Sequence, residues 1–271
     1  ISYGESLNIL KEIATNHPLT AIEEVSIIHA VGRILIEDIV ARENNPPFNN
    51  SAMDGFAVNT AAIKELQNLP QAWIPVQTLI SAGDSDFHFE KRDAIEIMTG
   101  APIPDVYFNS VIRIEDVELK KDHNGQKFIR LRSAPAVGDN IRRAGEDTKT
   151  GDILLHKGER VTNEHLLVLA TQGISRLKVK KQIKIALLST GKEIVHHETK
   201  DLRFGQIRNS TGIYLQAALF DQRYDVKNYG IIQDEPALYL ERLEDIFNND
   251  ADVLISTGAV SMGVHDFVRP A

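Results

Sequence analysis

The sequence contains no cysteine among its 271 residues. This absence excludes disulfide bonds, thiolate zinc sites and cysteine nucleophiles, and it favours the cytosol over an oxidising compartment. The sequence also lacks an apolar run long enough to cross a membrane, and its start has no basic stretch followed by an apolar one. We therefore expect a cytoplasmic protein that is neither exported nor inserted into a membrane.

Acidic residues outnumber basic ones. Lys and Arg number 30 against 38 Asp and Glu, which gives a net charge of −8. This balance argues against nucleic acid as a partner, because a basic face is needed to replace the counterions of the phosphates. A hydrophobic content of 42% and a charged content of 25% are typical of folded globular domains. The length suits two or three such domains.

The proline loop, residues 44–58 with the sequence NNPPFNNSAMDGFAV, concentrates unusual residues between two apolar segments. Pro46 and Pro47 stiffen the backbone, and Gly55 permits a turn immediately after Asp54. We expect the Asp54 carboxylate to lie at the tip of a turn, where it can meet a ligand or a metal. The simpler alternative is an ordinary Asp-Gly turn in which asparagine and serine side chains cap the backbone. Spacing alone favours that alternative.

A pattern of short strands dominates residues 46–136. The predicted strands are 74–80, 94–98, 111–119 and 127–132. Asn124-Gly125 is a hairpin signal between the last two. The segment MTGAPIPDV, which begins at Met98, places Thr99 beside a turn braced by prolines, and such a turn needs no ligand to explain it.

An adjacent basic pair, Arg142 and Arg143, stands out in this acidic sequence, with Glu146 and Asp147 close behind. Most such clusters are solvated surface charge. The functional alternative is that the guanidinium groups bind phosphate or another tetrahedral oxyanion, while a carboxylate holds a divalent cation.

Strands and helices alternate after residue 178, which is typical of a parallel α/β domain. The predicted strands are 183–189, 227–232 and 252–256, and the predicted helices are 212–220 and 236–247. Ser-Thr-Gly motifs at 189–191 and 256–258 follow the first and last strands, where such sheets bind ligands. Neither motif is a Walker loop or a dinucleotide fingerprint. Asp234 is expected to cap the helix that begins with Pro236 and to contact a ligand as well.

These patterns predict a multidomain protein of mixed α/β and β class. A small β-rich inserted domain spans 46–136, and a parallel three-layer α/β domain spans 179–271. Residues 1–45 and 137–178 form a linker or extended domain.

Several separated motifs together resemble one family. They are NNSAMDGFAV at 49–58, IMTGAPIP at 97–104, GDNIRRAGEDTKTGDIL at 138–154, LLSTGKE at 187–193 and STGAVSMGVHD at 256–266. They resemble the signatures of the molybdopterin molybdotransferase family, bacterial enzymes similar to the E domain of gephyrin. Because the motifs occur in order over nearly the whole chain, the resemblance is specific.

The resemblance implies a molybdenum insertase of molybdenum cofactor biosynthesis. Such an enzyme inserts molybdate into adenylated molybdopterin and releases AMP, with Mg²⁺ as cofactor. It implies a homodimer whose active site lies between the molybdopterin-binding-like α/β domain and the β-rich domain of the other subunit. Other molybdenum cofactor biosynthesis proteins and molybdoenzyme chaperones are implied partners, whereas nucleic acid and membranes are not. The alternative is a non-catalytic molybdopterin-binding or gephyrin-like scaffold protein.

The resemblance also implies the residues of the site. Its catalytic and metal-associated residues are Asp54, Asp147 and Glu193. Its substrate-binding residues are Thr99, Arg142, Asp234, Ser256, Thr257 and Asp266.

Three positions depart from the family pattern, and we expect local differences in binding there. Lys192 stands where the family commonly has aspartate, Thr211 ends a run that usually ends in asparagine, and Ala259 replaces a glycine. The family pattern continues beyond Ala271 with the rest of the α/β domain and a small β domain. We therefore expect the α/β domain to be incomplete in this chain, and the 271-residue form to bind nucleotide weakly without inserting metal.

Overall fold

A computed structural model describes residues 1–66, 72–91, 93–104 and 106–258. The chain divides into two compact units. Unit 1 consists of Ile1–Asp38 and Leu155–Ala271, and unit 2 consists of Ile39–Leu154. The three-part division predicted from the sequence, with borders after residues 45, 136 and 178, stays a prediction. Within the described ranges, no helix has the length and apolar character that crossing a membrane requires.

The described residues form short helices and many short strands. The helices are α1 (Tyr3–Asn16), α2 (Ile27–Ala30), α3 (Thr60–Leu66), α4 (His165–Thr171), α5 (Ser210–Ala218) and α6 (Pro236–Asn248), with a 3-10 turn at Ile114–Asp116. The strands are β1 (Ile22–Ser26), β2 (Ile39–Val40), β3 (Asn50–Ser51), β4 (Gly55–Val58), β5 (Ile74–Ile80), β6 (Ala94–Ile97), β7 (Ser110–Arg113), β8 (Val117–Lys121), β9 (Lys127–Leu131), β10 (Ile141–Arg142), β11 (Ile153–Leu155), β12 (Arg176–Lys180), β13 (Ile183–Thr190), β14 (Ile194–Val195), β15 (Ile207–Arg208), β16 (Tyr224–Ile232) and β17 (Val253–Thr257).

Unit 2 is built on a six-stranded sheet in the order β7-β4-β6-β5-β9-β8. Strand β4, which follows the proline loop, is buried along its whole length. Because successive side chains of a strand point to opposite faces, Phe56 packs into one apolar cluster and Ala57 into another. Both faces of the sheet are therefore covered, and the β-rich region predicted from the sequence is confirmed.

The prediction of one continuous strand over residues 111–119 is wrong. It consists of β7 and β8, which the 3-10 turn at Ile114–Asp116 separates and which lie at opposite edges of the sheet. Ile114 within that turn donates its amide to the Asp54 carbonyl at 3.1 Å. The hairpin signal at Asn124-Gly125 is confirmed, because β8 and β9 pair antiparallel around it and Gly125 has a φ of 83°.

Unit 1 contains a three-stranded parallel sheet in the order β16-β13-β17. Strand β13 lies in the centre and is buried from Ile185 onward. Helix α6 places Tyr239 and Ile246 against Ala186 and Leu188 of β13. The alternation of strands and helices predicted after residue 178 is confirmed, with small shifts at the ends of the elements.

Gly55 occupies a position where no side chain fits. The sequence suggested that it permits a turn, but the structure places it in β4, opposite Arg113 of β7. A Cβ atom added to Gly55 would lie 1.9 Å from the carbonyl oxygen of Ile112. The close approach of two strands therefore requires this glycine.

We expect Gly55→Ala to destabilise unit 2 by about 3 kcal/mol, the upper part of the usual range for overpacking a well-packed site. Urea unfolding followed by the fluorescence of Trp73 measures the change, since Trp73 is the sole tryptophan of the chain and belongs to unit 2. Gly4→Ala is the matched control, because a Cβ atom at Gly4 meets nothing within 4 Å. Equal unfolding midpoints for the two variants would contradict this account.

Candidate functional site

Asp54 is an exposed residue at the bend between β3 and β4. Its Oδ1 atom accepts hydrogen bonds from the Thr99 backbone amide at 2.7 Å and from the Thr99 hydroxyl at 2.9 Å. These bonds, the backbone one first, lower the pKa of Asp54 because they stabilise the charged carboxylate. Within the described ranges Oδ2 accepts no hydrogen bond, so the turn presents an ionised carboxylate with one oxygen open to a ligand.

Strand β3 connects the Asp54 region to the basic motif. On one side, Ser51 donates its amide to the Ala101 carbonyl at 3.0 Å and accepts from the Gly100 amide at 2.8 Å. On the other side, Asn50 and Ser51 pair with β10, in the register Arg142 to Asn50. Thr99 and Arg142 thus belong to two segments that the same short strand joins.

Arg142 and Asp147 form an ion pair next to β3. The distance from Nη2 of Arg142 to Oδ2 of Asp147 is 2.6 Å, and both side chains are about half exposed. The hydrogen bond to Asp147 raises the pKa of Arg142, so the guanidinium stays charged. Asn45 also donates from Nδ2 to the same Asp147 oxygen at 3.5 Å. Solvent screens an exposed pair of this kind, so an anionic ligand can displace Asp147 from Arg142 at little cost.

The two Ser-Thr-Gly motifs of unit 1 meet at the carboxyl edge of the parallel sheet. Ser189 of β13 pairs in register with Thr257 of β17. The Thr257 hydroxyl lies 3.2 Å from the Ser189 hydroxyl, and the Thr190 hydroxyl donates to the Thr257 carbonyl at 3.2 Å. Ser256 has a buried Oγ with no hydrogen-bond partner among the described residues. This polar edge lies where parallel α/β sheets usually bind ligands.

Asn209 also belongs to this polar edge, although it was not among the predicted site residues. Its Oδ1 accepts from the Gly212 amide at 2.9 Å as the cap of α5, and its Nδ2 donates to the Ser189 hydroxyl at 3.0 Å. The signal was present in the sequence, because asparagine is a preferred N-cap residue and the apolar helical pattern begins shortly afterwards at Ile213. Asn209 therefore fixes the start of α5 beside the end of β13.

Asp234 and Glu193 lie in the loops that follow β16 and β13. The prediction that Asp234 caps α6 is wrong, because Glu235 occupies the N-cap position of this helix. Asp234 instead accepts from the Lys192 backbone amide at 3.2 Å and so connects the two loops. Oε2 of Glu193 lies close to Gly191, because a Cβ atom added to Gly191 would be 2.8 Å from this oxygen.

Asp266 and Ala259 lie outside the described residues. Their assignments, like the functional roles of the other site residues, stay predictions.

The described carboxylates can be compared with the ligand sets that metal ions use in proteins. In the part of the chain that the structure describes, no group of three or more His, Asp or Glu side chains could hold a metal ion. Mg²⁺ is often held by only one or two carboxylates, completed by water and by phosphate oxygens of the substrate. The open oxygen of Asp54 fits such a ligand set. The proposed metal group Asp54, Asp147 and Glu193 stays a prediction.

We expect Thr99→Val to raise the pKa of Asp54 toward its ordinary value, because valine keeps the backbone donor and removes the hydroxyl donor. The pKa should remain partly lowered, since the backbone bond is the larger cause. Titration of the Asp54 carboxyl carbon by NMR measures the change, and Thr99→Ser is the control that keeps the hydroxyl. An unchanged pKa in Thr99→Val would show that the hydroxyl does not act on Asp54.

Comparison with known proteins gives matches over nearly the whole chain. The family model described as MoeA N-terminal region (domain I and II) matches residues 1–173, and the one described as probable molybdopterin binding domain matches residues 186–271. A molybdopterin molybdenumtransferase of Synechococcus elongatus is 32% identical over 100% of this chain and 66% of its own length. One from Haemophilus influenzae is 34% identical over 92% of this chain and 59% of its own length.

A solved structure agrees with these matches. The molybdopterin biosynthesis MoeA protein from Pyrococcus horikosii superposes with a TM-score of 0.77 at 30% identity. The match covers 94% of this chain and 63% of that protein. The chain thus spans 59% to 66% of the length of these relatives. With both family models matched, the chain belongs to the MoeA family of molybdopterin molybdenumtransferases.

Proposed function

We propose that this protein acts in molybdenum cofactor biosynthesis and inserts molybdate into adenylated molybdopterin with release of AMP. The observation that carries the proposal is the Asp54 carboxylate, which Thr99 holds in its charged form on an exposed bend. This bend belongs to the region that the MoeA N-terminal model matches. An ordinary Asp-Gly turn does not need a second segment that fixes its carboxylate.

Both substrates are anionic, so carboxylates alone would repel them. Arg142 supplies a permanent positive charge that can bind a phosphate or molybdate oxygen in place of Asp147. In unit 1, hydroxyl groups at the carboxyl edge of the sheet offer donors to a phosphate ester. We assign that role to Ser256 and Thr257, with Asp234 and Glu193 fixing the adjacent loops.

Magnesium is part of the proposal, and Asp54 and Asp147 are the carboxylates of unit 2 that would hold it. When bound, Mg²⁺ would neutralise substrate charge and polarise a phosphate oxygen. Asp54 contributes a carboxylate that the Thr99 bonds keep ionised, and both bonds go to Oδ1 of this exposed residue. Asp147 becomes available as a ligand once Arg142 turns to the substrate.

The assembly follows the family expectation. We propose a homodimer in the cytoplasm, with the molybdopterin nucleotide as ligand. Light scattering on the full-length protein tests the dimer, and a fully active monomer would exclude it.

Incubation of the full-length protein with adenylated molybdopterin, Mg²⁺ and molybdate tests the function. We expect AMP to be released in amounts that match the molybdenum inserted, and much less AMP when molybdate or Mg²⁺ is omitted. Tight nucleotide binding without AMP release would instead support the non-catalytic binding or scaffold function. Absence of both binding and AMP release would exclude the proposed function.

A further inference from the structure

The asparagines of the proline loop hold the loop that carries Asp147. Asn49 accepts through its side-chain Oδ1 from the Ala144 amide at 2.9 Å. Asn44 accepts through Oδ1 from the Thr150 amide at 3.0 Å and from the Thr150 hydroxyl at 3.3 Å. The two side chains therefore bind opposite ends of residues 144–150, which we call the aspartate loop.

Backbone hydrogen bonds connect the same two segments between these ends. Asn45 donates to the Thr148 carbonyl at 2.8 Å, and its own carbonyl accepts from the amides of Asp147 at 3.0 Å and Thr148 at 3.1 Å. Gly145 donates to the Pro46 carbonyl at 2.9 Å. The aspartate loop is thus fixed along its length by the proline loop rather than by packing of its own side chains.

The residue types of the proline loop suit this task. Pro46 and Pro47 have no amide hydrogen and a restricted φ, so they offer carbonyl acceptors on a stiff backbone. The aspartate loop presents amide donors at Ala144 and Thr150, and the two asparagine oxygens accept from them. Asparagine supplies a neutral acceptor of suitable length. An aspartate in its place would add negative charge next to Asp147.

The Arg142–Asp147 pair depends on this support. Both side chains are about half exposed, and an exposed ion pair alone does not hold two long side chains in one geometry. The position of Asp147 is set by its backbone, which the proline loop holds. A Cβ atom at Gly145 would lie 3.1 Å from Oδ1 of Asn44, so the packing around that asparagine is close as well.

We propose that Asn49 and Asn44 are positioning residues for oxyanion recognition. Their side-chain carbonyls fix the aspartate loop, so that Arg142 and Asp147 present one defined arrangement to a tetrahedral oxyanion such as a phosphate group or molybdate. The ligand named here rests on the proposed function, whereas the positioning of the loop does not.

A double-mutant cycle in the full-length protein tests the functional part. We expect Asn49→Ala to lower kcat/KM for AMP release about tenfold. A displacement of a substrate-positioning group by about 1 Å can cost about 100-fold, but the bonds of Asn44 and of the backbone still hold the aspartate loop in this variant. In an Arg142→Ala background the same substitution should cause a smaller loss, because the arrangement of Arg142 with Asp147 is already gone. Asn49→Asp keeps the acceptor but adds a negative charge, so its amide exchange, and not its kcat/KM, is expected to match the parent. Asn124→Ala, on the β8–β9 hairpin, is the matched control and should match the parent.

Amide hydrogen exchange over residues 143–150, followed by mass spectrometry, gives a readout that needs no activity. Asn49→Ala should speed exchange in this segment, whereas Asn49→Asp and Asn124→Ala should leave it unchanged. Unchanged exchange in Asn49→Ala overturns the proposal whether or not the parent releases AMP. In an active parent, faster exchange with an unchanged kcat/KM overturns the functional role. A parent that releases no AMP refutes the proposed function, and the exchange data still decide the positioning.

Discussion

The candidate site of unit 2 depends on the hydrogen bonds that strand β3 forms on both of its sides. Ser51 bonds through its backbone to Gly100 and Ala101, while β3 pairs with β10 across its other edge. Thr99 precedes the first contact, and Arg142 belongs to the second. Because buried backbone groups must be paired, this two-sided ladder is hard to rearrange. It fixes two polar pairs, Asp54 with Thr99 and Arg142 with Asp147, relative to one strand.

The two pairs differ in the physical state of their carboxylates. Asp54 is held by donors that carry no charge, so its pKa is lowered while its negative charge remains available to a cation. Asp147 is already neutralised by the guanidinium of Arg142. A site for anionic ligands needs both types, because a carboxylate without a nearby cation would repel the ligand. In unit 1, neutral hydroxyl and amide groups lie at the ends of β13 and β17. Because they carry no negative charge, they do not repel an anionic ligand.

Much of the fold could be predicted from the sequence, because local patterns determine it. Strand β5 coincides with the predicted 74–80, and the alternation after residue 178 identified the parallel sheet. The predicted strand 111–119 failed since a continuous β-rich pattern does not reveal where the chain leaves one edge of a sheet. The reason for Gly55 was also inaccessible, because the carbonyl of Ile112 that excludes a side chain is distant in sequence. The same limitation applies to Asn49 and Ala144, whose contact depends on how two loops meet.

A comparison of unfolding and AMP release in Asp54→Asn distinguishes a catalytic Asp54 from a turn residue. Asparagine keeps an oxygen that can accept both Thr99 bonds, so we expect the unfolding midpoint to stay close to that of the parent. AMP release by the full-length protein should fall by about 100-fold or more, because the charge that would hold Mg²⁺ is lost. If Asp54→Asn instead releases AMP at the parental rate with Mg²⁺ present, Asp54 is only a turn residue and its carboxylate has no part in the reaction.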